Sequence, residues 1–161
     1  KFEGPRLEIL DALAGASIEV CCHLGLEPQH HEDKRLKGRK AEEAMRLLRD
    51  AIALDGAGMA MLVLELVPEE VADLVTKAVK APTIGIGAGR KTDGQVLVIS
   101  DVLGFGPTNF RHNRRYQDVG RLMREAVKAY AADVRSESFP AEENVFAMDK
   151  NELAIFLNQK R

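Results

Sequence analysis

The sequence predicts an α/β protein built on a parallel sheet, either doubly wound or a (βα)8 barrel. Three observations carry this expectation. Short apolar runs of strand length alternate along the chain with apolar stripes at helical spacing. Runs such as Met61-Leu62-Val63-Leu64 are apolar at consecutive positions, which suits strands covered on both faces and so a parallel sheet. The runs also end in polar residues, and the carboxyl ends of parallel strands are where α/β proteins collect their chemistry. About five strands are legible, whereas a complete barrel needs eight and roughly 250 residues. The chain therefore looks like the later strands and helices of a barrel, a fragment lacking the front strands.

The elements follow in order. Phe2-Glu3 reads as the tail of a strand, and Pro5 suits the first turn of the next helix. Leu7, Leu10 and Ala14 recur at helical spacing until Gly15 stops them. Ile18 to Cys22 reads as a strand ending on His23, and Gln29 to Arg39 as a polar loop. Ala41, Ala44, Met45, Leu48 and Ile52 form a helical stripe that Gly56-Ala57-Gly58 closes. Met61 to Glu65 is the central strand, and Val67-Pro68 opens a helix carrying Val71, Leu74, Val75, Ala78 and Val79, which Pro82 closes. Thr83 to Gly87 is a strand running into Ala88-Gly89-Arg90, and Val96 to Ile99 a further buried strand ending at Ser100-Asp101. Leu122, Met123, Ala126, Val127, Tyr130 and Val134 predict a long amphipathic helix, followed by a turn at Pro140. Asp149 and Glu152 resemble a capping box before a C-terminal helix over 149–161.

At 161 residues the chain predicts one domain, 1–161. Its 45% hydrophobic and 30% charged residues are those of a globular protein, and a net charge of -2 offers no general attraction to nucleic acid or an anionic membrane. No apolar run approaches the ~20 residues that span a bilayer. Cys21 and Cys22 are neighbours on a strand and point to opposite faces, so no mutual disulfide is expected and a reducing compartment is. The first residue is Lys1 and not Met, which predicts a longer sequence upstream.

Glu3, His23, Glu65, Gly87 to Arg90 and Asp101 would converge on one mouth in a barrel. Carboxylates alternating with His suit metal binding, proton abstraction or both. The stretch Gly85-Ile86-Gly87-Ala88-Gly89 fails as a dinucleotide fingerprint, because the last glycine of that motif falls on Arg90. A tight turn is the better account. His30-His31-Glu32-Asp33 reads as a solvated run more readily than as a metal cluster, and Arg111 to Arg115 as a solvated helix start.

Several segments together resemble the ketopantoate hydroxymethyltransferase family: Lys1-Phe2-Glu3-Gly4, His23-Leu24-Gly25-Leu26 with Pro28-Gln29, Leu62-Val63-Leu64-Glu65 with Val67-Pro68, Ile84 to Gly89, Asp93 to Val98 with Asp101, and Phe139-Pro140. The resemblance implies a (βα)8 barrel that moves a hydroxymethyl group from 5,10-methylenetetrahydrofolate to 3-methyl-2-oxobutanoate and uses Mg2+. It implies Glu65 as the proton acceptor, Lys1 and His23 as substrate-binding residues and Glu3 at the metal site. It further implies a homo-oligomer, cytoplasmic in a bacterium and mitochondrial in a eukaryote, with no nucleic-acid or membrane partner. The pattern departs from the family at Cys22, at the loop His30 to Lys37 and at Asn109-Phe110. The alternatives are a related Mg2+-dependent α-keto-acid barrel enzyme that makes or breaks a C–C bond, and a truncated non-catalytic copy. Alone, the fragment is expected to be inactive.

Overall fold

The computed structural model describes residues 1–29, 35–107 and 110–159. The run His30 to Asp33 and Asn109 lie outside the described residues. Five parallel strands form one sheet in the order β1-β2-β3-β4-β5: Phe2–Glu3, Cys21–Gly25, Met61–Glu65, Thr83–Ile86 and Gly94–Gln95. Helices α1 (Leu7–Gly15), α2 (Ala41–Gly56) and α3 (Glu69–Ala78) connect the first four strands in turn. Three more follow the sheet: α4 (Ile99–Leu103), α5 (Val119–Arg135) and α6 (Lys150–Gln159). The α/β class and the parallel sheet thus stand as expected.

Registry sorts the side chains. Phe2 pairs with Cys22, Cys22 with Leu62 and Leu62 with Thr83, so these share one face. That face meets Leu10 of α1, Ala51 and Leu54 of α2, and Ala72 and Val75 of α3 in a continuous core. The alternate residues Glu3, His23, Val63, Glu65, Ile84 and Ile86 fall on the opposite face. Thr83 is buried on the helix side, where its hydroxyl is paired with Thr76 Oγ1 at 2.9 Å and Asp93 Oδ2 at 2.9 Å. Cys22 is a buried free thiol pushed up to about 11, chiefly by burial and then by Cys21, and it stays protonated.

Four expectations need correction. The second strand runs over Cys21–Gly25 and not Ile18 to Cys22, because the turn after α1 consumes Ala16 and Ser17, and Ile18 is 52% exposed. His23 consequently lies inside the strand, not after it. The last strand is Gly94–Gln95, and Val96 to Ile99 is not a buried strand. Val98 is the N-cap residue of α4, and Ile99 is 66% exposed, since β5 is the edge of the sheet among the described residues. Arg111 to Arg115 does not begin a helix; α5 starts at Val119, where Asp118 caps by accepting from the Arg121 N–H. Only half of the capping box at α6 forms: Asp149 Oδ1 accepts from the Asn151 and Glu152 N–H groups at 2.8 and 3.3 Å.

Gly25 closes β2 with φ +101°, and a Cβ there would run into the Glu65 carbonyl oxygen and lie 2.7 Å from Val67 Cγ2. Gly25→Ala is therefore expected to cost about 1–3 kcal/mol through overpacking. The measurement is the urea midpoint at unchanged m-value. A midpoint equal to wild type would mean that the ends of β2 and β3 separate freely.

Candidate active site

The polar face of the sheet builds the site from three adjacent strands. Glu3 ends β1 opposite His23 of β2, and Glu65 ends β3 one pleat further along. The His23 ring lies between the two carboxylates: Nε2 is 3.2 Å from Glu65 Oε2, and Nδ1 is 3.7 Å from Glu3 Oε1. The ring is 1% exposed, and among the described residues neither nitrogen completes an aligned hydrogen bond. Buried polar groups are ordinarily paired, so an unsatisfied imidazole between two acids makes this cluster the candidate site. The chain after β2 folds over this cluster, and the Gln29 N–H donates to Glu3 Oε2 at 3.0 Å.

Glu65 is 20% exposed and opens into a cavity of about 320 Å3. Leu26, Ile86, Val98 and Phe110 give that cavity apolar walls, with Asp101, Arg111 and His112 as its other polar lining. Asp101 belongs to α4 and accepts from Asn113 Nδ2 at 2.7 Å. The rings of Phe110 and His112 stack at 5.7 Å with 12° between their planes. A carboxylate in a mostly apolar hollow can take a proton from carbon, because little water competes for it.

Of the residues singled out from the sequence, Glu3, His23 and Glu65 come together, and Asp101 reaches the same cavity from a helix. Lys1 is exposed just before β1 and does not line the Glu65 cavity. Phe2 packs against the helix-side core, which puts Glu3 on the polar face. Arg111 and His112 were missed as wall residues; a basic run carries no local sign that the chain doubles back over a strand end. Among the described residues no group of three His, Cys, Asp or Glu gathers to hold a metal. The donors among the described residues do not by themselves make up an octahedral magnesium site.

The turn after β4 is held from α3. The Arg90 N–H and Nε donate to Glu69 Oε2 at 2.7 and 2.9 Å, and Arg90 Nη2 donates to Oε1 at 2.7 Å. Gly89, at φ +81°, leaves room for this, since a Cβ would lie 2.5 Å from Glu69 Cβ. The Arg90 side chain first and its backbone second hold Glu69 down to about 2. Arg90 is 85% exposed, so solvent screens the pair. Because the folded value is depressed, the contribution of Glu69 is present above its unfolded value of about 4.3 and is lost as pH falls toward the folded one. Arg90→Ala is expected to return Glu69 toward the ordinary carboxylate range in a carbon-detected NMR titration. An ordinary midpoint in the unsubstituted chain would refute the pairing.

The family model for ketopantoate hydroxymethyltransferase matches residues 1–142. The chain belongs to the ketopantoate hydroxymethyltransferase family. Curated relatives agree, each of them named 3-methyl-2-oxobutanoate hydroxymethyltransferase. The one from Nitratidesulfovibrio vulgaris (strain DP4) is 47% identical over 158 residues, which is 96% of this chain and 52% of the relative. That from Clostridium novyi is 40% identical over 95% of this chain and 58% of the relative. That from Chloroflexus aurantiacus is 44% identical over 92% and 54%. The chain thus spans about half the length of the curated relatives it matches. In this family member Glu3, His23 and Glu65 meet on one face of one sheet.

Proposed function

We propose that the protein containing this chain transfers a hydroxymethyl group from 5,10-methylenetetrahydrofolate to 3-methyl-2-oxobutanoate, and that the sheet is part of a closed (βα)8 barrel. Glu65 carries the reading: a carboxylate at the carboxyl end of the central strand, at the mouth of a cavity, beside a buried His. In this mechanism Glu65 takes the proton from C3 of the keto acid, leaving an enolate. The methylene carbon of the carrier gains a C–C bond to the enolate carbon and a C–O bond to a water oxygen as its two C–N bonds break, and the proton from C3 and one proton of the water end on the two nitrogens. Ketopantoate and tetrahydrofolate are the products.

The burial of His23 between Glu3 and Glu65 supports a role in holding both carboxylates on the substrate side of the sheet. Lys1 is kept as a substrate-binding residue on strand alternation, which puts it on the face of Glu3. Glu3 is the prospective Mg2+ ligand that this chain contributes. No helix among the described residues is long and apolar enough to cross a membrane. A homo-oligomer and a cytoplasmic location, or a mitochondrial one in a eukaryote, complete the proposal.

The test joins this chain to the part of the Nitratidesulfovibrio vulgaris relative that it does not match. With keto acid and carrier, the chimaera is expected to form ketopantoate, and nothing without the carrier. A C–C bond made without the carrier would favour the related α-keto-acid enzyme, and no reaction under any condition the non-catalytic copy.

A further inference from the structure

After α4 the chain comes back over the strand ends before it enters α5, and this return is fastened to α4 at three points. The Tyr116 N–H donates to Val102 O at 2.9 Å, and the Gly120 N–H, at the start of α5, to Gly104 O at 3.1 Å. The third tie reaches the Glu65 cavity itself: Asn113 Nδ2 donates to Asp101 Oδ2 at 2.7 Å, and Asp101 lines the cavity. An ionised carboxylate only accepts hydrogen bonds, which settles the end of the Asn113 amide that faces it. Asn113 Oδ1 is shut off from water with no partner among the described residues, so the bond to Asp101 is the one that orients this side chain.

Asn113 is also bonded at its backbone. Its N–H donates to Phe110 O at 3.0 Å and closes a tight turn, whose stacked rings, Phe110 and His112, both line the cavity. A continuous link thus runs from Asp101 through Asn113 to Phe110. The other apolar walls have firmer footing: Ile86 belongs to β4, and the Leu26 N–H extends the β2–β3 ladder by donating to Glu65 O at 2.8 Å. Phe110 stands on the link. We propose that Asp101 and Asn113 are positioning residues, whose hydrogen bond holds Phe110 against the cavity and so sets the length of keto-acid branch that the cavity admits. This rests on the function proposed above and deepens it: the substrate preferred is an α-keto acid that carries nothing longer than methyl groups at C3. One extra methylene is worth about 10- to 200-fold against an apolar wall that does not yield.

The experiment measures, by calorimetric titration without the carrier, the affinity of the chimaera for 3-methyl-2-oxobutanoate and for 3-methyl-2-oxopentanoate, which is longer by one methylene. The shorter acid is expected to bind more tightly by about tenfold or more. Asn113→Leu keeps a side chain of similar size without the donor, and should shrink that preference to within about twofold. Asn113→Asp sets two carboxylates against each other and should do the same. Combining Asn113→Asp with Asp101→Asn moves the donor to the other partner, and should bring the preference back to within about twofold of the unsubstituted value, whatever the change in absolute affinity. A merely structural role for either residue gives no such recovery. A preference that survives Asn113→Leu, or that the double substitution fails to recover, would overturn the assignment. Equal affinity for the two acids in the unsubstituted chimaera, or no saturable binding of either, would overturn it as well. Failure of the proposed function has a different signature: the preference and its recovery are found, and no ketopantoate forms when the carrier is added.

Discussion

Glu65→Gln is expected to slow ketopantoate formation by the chimaera between about 100- and 10,000-fold, the range a positioned general base contributes. Glutamine keeps the shape of the side chain and can still face His23 Nε2, now 3.2 Å from a carboxylate oxygen, but it cannot accept a proton. Keto-acid affinity should therefore change little while turnover falls. The step itself is visible as loss of the C3 hydrogen signal of 3-methyl-2-oxobutanoate in deuterated water, followed by proton NMR. Exchange at the wild-type rate in the Gln variant would remove Glu65 from this role. Exchange lost together with keto-acid binding would point instead to a binding function for Glu65.

The 161-residue chain by itself is expected to show no hydroxymethyl transfer and to associate as its concentration rises. Among the described residues its sheet has two edges, β1 and β5, each paired on one side. Open edges offer unpaired N–H and C=O groups to other chains. Apolar surface adds to this: Val96, Val98 and Ile99 are exposed beyond β5, and α5 exposes Leu122, Met123, Val127, Tyr130 and Val134 along its stripe. Such a stripe is the face a helix ordinarily buries. The site is incomplete too, since Glu3 as the prospective ligand has too few oxygen partners among the described residues to make up the shell of a hard cation. Sedimentation against concentration and binding of an apolar dye report the exposed surface; ketopantoate assay reports the site. Adding the unmatched part of the relative as a separate chain should lower dye binding as the edges pair. Turnover by the 161-residue chain that Glu65→Gln abolishes would show that these residues suffice and that closing the sheet is unnecessary.

Where sequence reading succeeded and failed follows from the range of the forces involved. Met61 to Glu65 was legible in full, because a short, wholly apolar run between two helical stripes has one comfortable place in an α/β protein. Val96 to Ile99 is just as apolar and is not a strand. A strand needs a neighbour as well as a propensity, and at this edge the ladder ends with the Val96 N–H donating to Gly85 O. The second strand slipped by three residues for a related reason. Ile18 has the stronger local preference for a strand, but pairing of Cys21 with Met61 through Gly25 with Glu65 sets where the strand begins.

What the sequence alone determined is local and periodic: the alternation of elements, which strand ends are acidic, and the family pattern that Lys1 to Pro140 carries. What only the tertiary structure decided is who meets whom. Glu3, His23 and Glu65 are separated by tens of residues, and a one-residue change of register would turn any of them to the helix side. Arg111 and His112 reach the Glu65 cavity because the chain returns across the strand ends before α5. Lys37 stands next to it because its N–H bonds to the carbonyl of Leu66. These are contacts between segments far apart in the chain, set by the pairing of strands and the covering of faces, and no periodicity within one segment encodes them.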